Sequence, residues 1–213
     1  MPTDSANCFD TLAADPRWRI FTAEERRKVD AFVRRWNIQP GDRVLEPGCG
    51  AGRLTEVLAA LTGPTGSVLA FAASPEFMRL TAQRALPPHV ILHTGGLDAV
   101  PLPPDSFDHV VCFNVFPHLT PLPETTLRLA AALRPRGEFW IAHTRSQVFV
   151  NAVHQAGPPA IHRHVLPAPE ELARLLCDAG LGEVEIENGA DCFLAHAVRL
   201  APVGASRHPR GDA

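Results

Sequence analysis

The chain has 213 residues, a formal net charge of −3 and 46% hydrophobic residues, enough apolar material to bury one full core. That balance gives no electrostatic reason to expect nucleic acid or an anionic membrane as partner. No apolar run approaches the roughly 20 residues of a membrane span, and Met1 to Asp10 is polar without a signal-peptide core, so a cytoplasmic protein is expected.

In chain order, the first predicted element is a helix. Thr22-Ala23-Glu24-Glu25 has the form of a helix cap with acidic residues in the first turn, and Val29, Phe32, Val33 and Trp36 follow at helical spacing. We read residues 1–40 as an N-terminal helical cap over the ligand cleft. Strands are predicted at about Arg43 to Glu46, Ser67 to Phe71, Val90 to His93, His109 to Asn114 and Gly137 to His143, with helices near Arg53 to Leu61, Pro75 to Ala85 and Glu124 to Leu133. This alternation is the pattern of a doubly wound α/β sheet. Pro169 to Ala179 reads as a helix with Leu172, Leu175 and Leu176 on one side and Gly180 as its stop. Two last strands, about Glu183 to Glu187 and Cys192 to Val198, form an edge hairpin. The domain spans 41–200, and 201–213, rich in Pro, Gly, Ser and Arg, reads as a loose tail.

The most informative segment joins the first strand to its helix: Val44-Leu45-Glu46-Pro47-Gly48-Cys49-Gly50-Ala51-Gly52-Arg53-Leu54. Glycines suit a turn on which a ligand lies, because a Cβ would clash with it and the backbone needs positive φ. The spacing is neither the dinucleotide G-x-G-x-x-G nor a P-loop ending in Gly-Lys-Ser/Thr. An acidic residue ahead of the first glycine can accept hydrogen bonds from a ligand amine. This resembles motif I of the class I S-adenosylmethionine-dependent methyltransferases, and the resemblance runs from about Gly41 to Arg199. Ser74-Pro75-Glu76-Phe77-Met78 looks like the family's segment after its second strand, Leu102 to Val111 like the approach to its fourth, and Leu133-Arg134-Pro135-Arg136-Gly137 like the L-x-P-G-G turn into its fifth. The resemblance implies a Rossmann-like methyltransferase fold: a doubly wound, mostly parallel seven-stranded sheet with helices on both faces. It also implies S-adenosylmethionine as cofactor, held by Glu46, Gly48, Cys49, Gly50 and Gly52 at its methionine part. The neighbourhoods of Ala72, Ser74, Gly96, Leu97 and Asn114 would hold the rest.

Two positions depart from the family pattern. The acidic residue that ends the second strand and takes both ribose hydroxyls is replaced by Ala72, and the one that follows the third strand and accepts from the adenine amine is replaced by Gly96, with Asp98 displaced by two. Each missing charged hydrogen bond costs on the order of 1.5 to 3 kcal/mol. Either water or Asp98 compensates, or the fold no longer uses the cofactor.

Histidines form the second constellation. His118 follows the fourth strand and His143 ends the fifth, placing both on the rim where open α/β sheets keep their chemistry. His154 lies eleven residues further on, where a short segment can fold it back over that rim. One of these imidazoles can serve as general base. The three together can hold a divalent transition metal such as zinc, with a fourth position open. His162 and His164 look like a solvated pair and are alternates for the third ligand; His89, His93, His109, His196 and His208 are assigned to scaffold or tail. Arg145 can bind an acceptor carboxylate with its planar fork, and Phe116, Pro117 and Trp18 can wall the acceptor pocket. The five cysteines, Cys8, Cys49, Cys112, Cys177 and Cys192, show no C-x-x-C pair and read as small buried hydrophobes, with Cys177 on an apolar helix face.

The expected function is methyl transfer to a small-molecule acceptor, with His118 or His143 as base or metal ligand. The alternatives are a cofactor-independent, metal-dependent lyase or hydrolase on the same fold, and a non-catalytic binding subunit. The residues leave the oligomeric state open.

Overall fold

The computed structural model describes residues 4–201; residues 1–3 and 202–213, which include His208 and the predicted tail, lie outside the described residues. Seven strands form one sheet: β1 (Arg43–Pro47), β2 (Ser67–Ala72), β3 (Val90–Thr94), β4 (Phe107–Phe113), β5 (Leu133–His143), β6 (Leu181–Asn188) and β7 (Phe193–Arg199). Their spatial order is β3-β2-β1-β4-β5-β7-β6, parallel except for β7, which runs antiparallel to both neighbours. All seven predicted strands are present, each within a few residues of its expected bounds.

Seven helices accompany the sheet: α1 (Asp4–Ala13), α2 (Ala23–Trp36), α3 (Arg53–Thr62), α4 (Pro75–Ala82), α5 (Leu122–Ala132), α6 (Gln147–Ala156) and α7 (Pro169–Asp178). The sheet's two faces carry separate apolar clusters because alternate residues point opposite ways. Leu45, Val110, Cys112, Phe139 and Ile141 pack with Leu129 of α5 and with Leu172 and Leu176 of α7. Val44, Val68, Val111, Phe113 and Trp140 pack with Val29, Phe32 and Trp36 of α2 and with Leu54 and Leu58 of α3. Every residue of β4 is buried, as expected of a central strand covered on both sides.

The α2 cap forms as its sequence predicts. The Thr22 hydroxyl accepts from the Glu25 amide while the Glu25 carboxylate accepts from the Thr22 amide, a reciprocal capping box. Halfway along α2, the Lys28 ammonium donates to the Thr144 carbonyl just beyond β5 (3.0 Å) and to the Asp191 carboxylate (2.7 Å). Burial disfavours that charge but its two carboxylate partners outweigh it, and the Lys28 pKa is raised.

Four expectations are corrected. The helix predicted to reach Ala85 ends at Ala82, and Leu133 begins β5 rather than ending a helix. One helix, α6, lies where none was predicted, whereas α1 falls within the 1–40 segment read as a helical cap. Cys177 is exposed, although Cys49 and Cys112 are buried as expected.

The strand order reverses between β1 and β4, so a ligand crevice opens there beyond the carboxyl ends of the strands. The loops leaving these two strands touch. A Cβ on Gly48, whose φ is +66, would stand 2.1 Å from Cγ2 of Val115. Gly48→Ala is therefore expected to cost about 2–4 kcal/mol through steric overlap and left-handed backbone strain. Urea unfolding should register that loss, and a second substitution, Val115→Ala, should recover part of it.

Candidate active site

The glycine loop spans β1 and α3, with Gly48, Gly50 and Gly52 all at positive φ. They do different work. A Cβ on Gly52 would meet Thr81 at 2.7 Å, so that glycine lets α4 close on the loop, whereas a Cβ on Gly50 would meet nothing within 4 Å. The loop is braced from behind. The Thr81 hydroxyl donates to the Gly50 carbonyl (2.7 Å), and the Arg84 guanidinium donates to the carbonyls of Ala51 and Arg19 and to Glu56. Open space over a rigidly held Gly50 is what a ligand lying on this backbone requires.

Glu46 is 2% exposed and accepts a 2.6 Å hydrogen bond from the Thr55 hydroxyl. Burial pushes its carboxyl up to about 7, so it holds a proton in acid and gives it up near neutrality. The Cys49 thiol, with the Met78 sulfur 3.6 Å away, is held well above the ordinary thiol range by burial. It is a packing group rather than a nucleophile.

At the nucleoside end, Ala72 closes β2 and is buried, and Ser74 caps α4 by accepting from the Phe77 amide. The Ser74 hydroxyl donates at 2.5 Å to the carboxylate of Asp10, which also accepts from the Glu76 amide at 3.2 Å. Asp10 belongs to α1, a contact that sequence reading missed. Gly96 faces open space, and Leu97 packs partly buried against the core. Asp98 does not stand in for the missing acid: its side chain is fully exposed and pairs with Arg128. Open space at Gly50 and Gly96, on the two sides of the β2 end, fits a bound nucleoside derivative of methionine.

The histidines do converge. His118 lies in a short 3-10 turn after β4, His143 ends β5, His154 lies on α6, and His164 follows a second 3-10 turn. Nδ1 of His118 is 2.8 Å from Nδ1 of His164, and the rings of His118 and His154 are 4.6 Å apart. His164, expected in solvent, is therefore buried in the cluster, while His162 stays exposed and its Nε2 donates to the Gly157 carbonyl. The signal for His164 was its spacing from α6, since His154 Nδ1 donates to the carbonyl of His164 itself. Nδ1 of His154 therefore carries a proton. In the His118–His164 pair one Nδ1 donates and the other accepts, so the two rings hold opposite tautomers.

Burial and the nearby His154 disfavour charge on His118, His143 and His164. Burial is the larger cause, and neighbouring imidazoles add to it, lowering His118 to about 2 and His143 to about 3; His164 is lowered in the same direction. Nε2 of His143 is buried with no hydrogen-bond partner among the described residues. Phe9 of α1 closes the cluster from above, its ring edge-on to His118 at 5.0 Å.

Other expected site residues take other places. Arg145 pairs with Glu24 of α2 at 3.2 Å and lies over the Phe149 ring, half exposed. Asn114, at φ +51, bridges to Thr144 by accepting from its amide (2.9 Å), which ties the ends of β4 and β5 together. Phe116 is fully buried in the core, and Trp18 packs edge-on to Phe77. The expected three-histidine metal set does not form: among the described residues no group of three or more His, Cys, Asp or Glu is placed to hold a metal ion. Nδ1 of His118 is taken up by His164 and the His143 ring lies edge-on to Phe193, so the three imidazoles do not converge on one point.

Residues 44–137 match the family model described as a methyltransferase domain. The chain is 30% identical over 138 residues to the demethylmenaquinone methyltransferase of Symbiobacterium thermophilum, covering 62% of this chain and 55% of that protein. It is 30% identical over 155 residues to a ubiquinone biosynthesis O-methyltransferase of Xanthomonas euvesicatoria, covering 66% and 63% respectively. The fold is similar to that of a SAM-dependent methyltransferase from Aquifex aeolicus, with a TM-score of 0.66 at 22% identity over 92% of this chain and 98% of that one. Residues 44–137 are thus similar in sequence to S-adenosylmethionine-dependent methyltransferases, and the fold is the one those enzymes share. The chain spans about half the length of the curated relatives it matches.

The lowered histidines link stability to pH. Their unfolded rings take up protons below about 6.5 while the folded rings do not, so stability is full above that pH and falls as pH drops. Between pH 7 and pH 5, His118 and His143 should each remove about 2 kcal/mol. Urea midpoints measured across that range should fall, and His143→Asn should flatten the slope by about one proton.

Proposed function

We propose that this protein transfers a methyl group from S-adenosylmethionine to a small, ring-bearing acceptor of the quinol type. The observation that carries the reading is the cluster of neutral imidazoles on the β4–β5 rim, beside a glycine loop that leaves open space at Gly50. The two curated relatives named above support the acceptor class, since both are named for quinone methylation.

When bound, the cofactor supplies an electrophilic methyl group on a sulfonium sulfur. Glu46 and the backbone around Gly48 and Gly50 receive its methionine end, and the Ser74 and Gly96 neighbourhoods receive its nucleoside. The cluster of His118, His143, His154 and His164 faces the acceptor. Because His118 and His143 are uncharged at neutral pH, they accept a hydrogen bond from an acceptor hydroxyl and take its proton as the methyl bond forms. Holding the acceptor in line with the methyl group supplies the larger part of the rate. No helix among the described residues is long and apolar enough to cross a membrane.

Two experiments test this. Titration calorimetry with S-adenosylhomocysteine should show micromolar binding. Gly50→Ala should fold with a loss of about 1 kcal/mol yet bind at least about tenfold more weakly, because its methyl group enters the ligand space. Full affinity in that variant would remove the loop from the cofactor site. Turnover of a quinol acceptor should fall about 100-fold in His118→Asn with cofactor affinity unchanged. The acid limb of turnover in the unmodified enzyme should lie below pH 5, not near 6.5.

A further inference from the structure

The chain lacks the carboxylate that the end of β2 would need for a ribose. Ala72 offers a methyl group there, and Asp98, the other acid near the rim, is turned outward to Arg128. A carboxylate is nevertheless present, brought by α1. This helix docks through Phe9, Leu12 and Ala13 onto Ala51 of the glycine loop and onto Phe77 and Leu80 of α4. It therefore lies across the crevice between the loop and α4, and the same helix touches His118 on the acceptor side.

Asp10 sits on this helix two residues before Leu12. One of its oxygens, Oδ1, is fixed by the Ser74 hydroxyl at 2.5 Å and the Glu76 amide at 3.2 Å, two donors that immediately follow the β2 end. The second oxygen, Oδ2, has no hydrogen bond or ion pair among the described residues. A carboxylate clamped by one oxygen at Ser74, two residues beyond Ala72, and unpaired at the other is the group a vicinal diol needs. Two hydroxyls donating to one carboxylate make charge-assisted hydrogen bonds, stronger than neutral ones.

We propose that Asp10 receives the ribose hydroxyls of the cofactor in place of the missing acid at Ala72, so that the N-terminal helix completes the binding site. This rests on the cofactor reading above. The carboxylate has moved from the sheet to a helix that closes over it, and the ribose is held only while α1 is docked.

The test is calorimetry with S-adenosylhomocysteine and with its 2′-deoxy analogue, on unmodified protein and on Asp10→Asn. The amide keeps an acceptor oxygen for Ser74, so the helix stays docked. Asp10→Asn should weaken S-adenosylhomocysteine binding about 10- to 100-fold and the deoxy analogue far less. Ala72→Asp added to Asp10→Asn should restore most of the lost affinity. Equal weakening of both ligands would mean that Asp10 only anchors the helix, and unchanged affinity would remove it from the site; either overturns the proposal. Absence of binding to the unmodified protein would instead sink the cofactor reading itself, and this inference with it.

Discussion

Everything at the working end of this molecule depends on how closely two loops approach at the switch point of the sheet. Gly48 leaves β1 with its α-carbon against the Val115 side chain, and no other residue type leaves room for that contact. The contact fixes the glycine loop against the segment that carries His118, three residues beyond Val115. The cofactor half and the histidine half of the site are thus set in one frame by van der Waals contact. Arg84 and Thr81 hold the loop from the opposite side, so its backbone is clamped between a core valine and two polar braces. Such preorganisation is what in-line group transfer draws on, since misplacement by an ångström costs orders of magnitude in rate.

The electrostatics of the site follow from burial. His118, packed against His154 and His164, and the buried His143 cannot hold positive charge on a low-dielectric rim, and both remain neutral instead. Neutrality has a use beside a cationic cofactor, because a charged imidazolium would repel a sulfonium. The same pressure makes these rings weak bases in the resting protein and leaves them their lone pairs. Glu46 shows the opposite response to burial, holding its proton up to about 7.

The scaffold was legible because its signals are local. The glycine spacing, the capping box at Thr22 and Glu25, and the apolar strands each speak through a few adjacent residues, and they place the seven strands in order. His118, His143 and His154 were legible as a group for a related reason: two adjacent strand ends must share a rim. A helical cap over the cleft was legible in residues 1–40, but not which of its residues meet the rim. α1 carries too few apolar residues to announce itself, and its role appears only when Phe9 and Asp10 meet partners more than 60 residues away. His164 looked like a loop residue because its partner, His118, stands 46 positions earlier. The metal expectation failed on atoms rather than on residues, since the side chains lie on one rim without three of their nitrogens converging on one point among the described residues.

The roof of the crevice is a helix of ten residues, anchored by Phe9, Leu12 and Ala13 on an apolar cluster of its own, apart from the two that flank the sheet. Burying such a patch contributes on the order of 3–5 kcal/mol, and a helix this short is marginal in water once it leaves its seat. Undocking and unravelling are consequently one event, and the sheet beneath need not take part. Access to the crevice is thereby a local folding equilibrium: the first stretch of chain is at once part of the fold and the door to its interior, and its sequence tunes how often that door stands open.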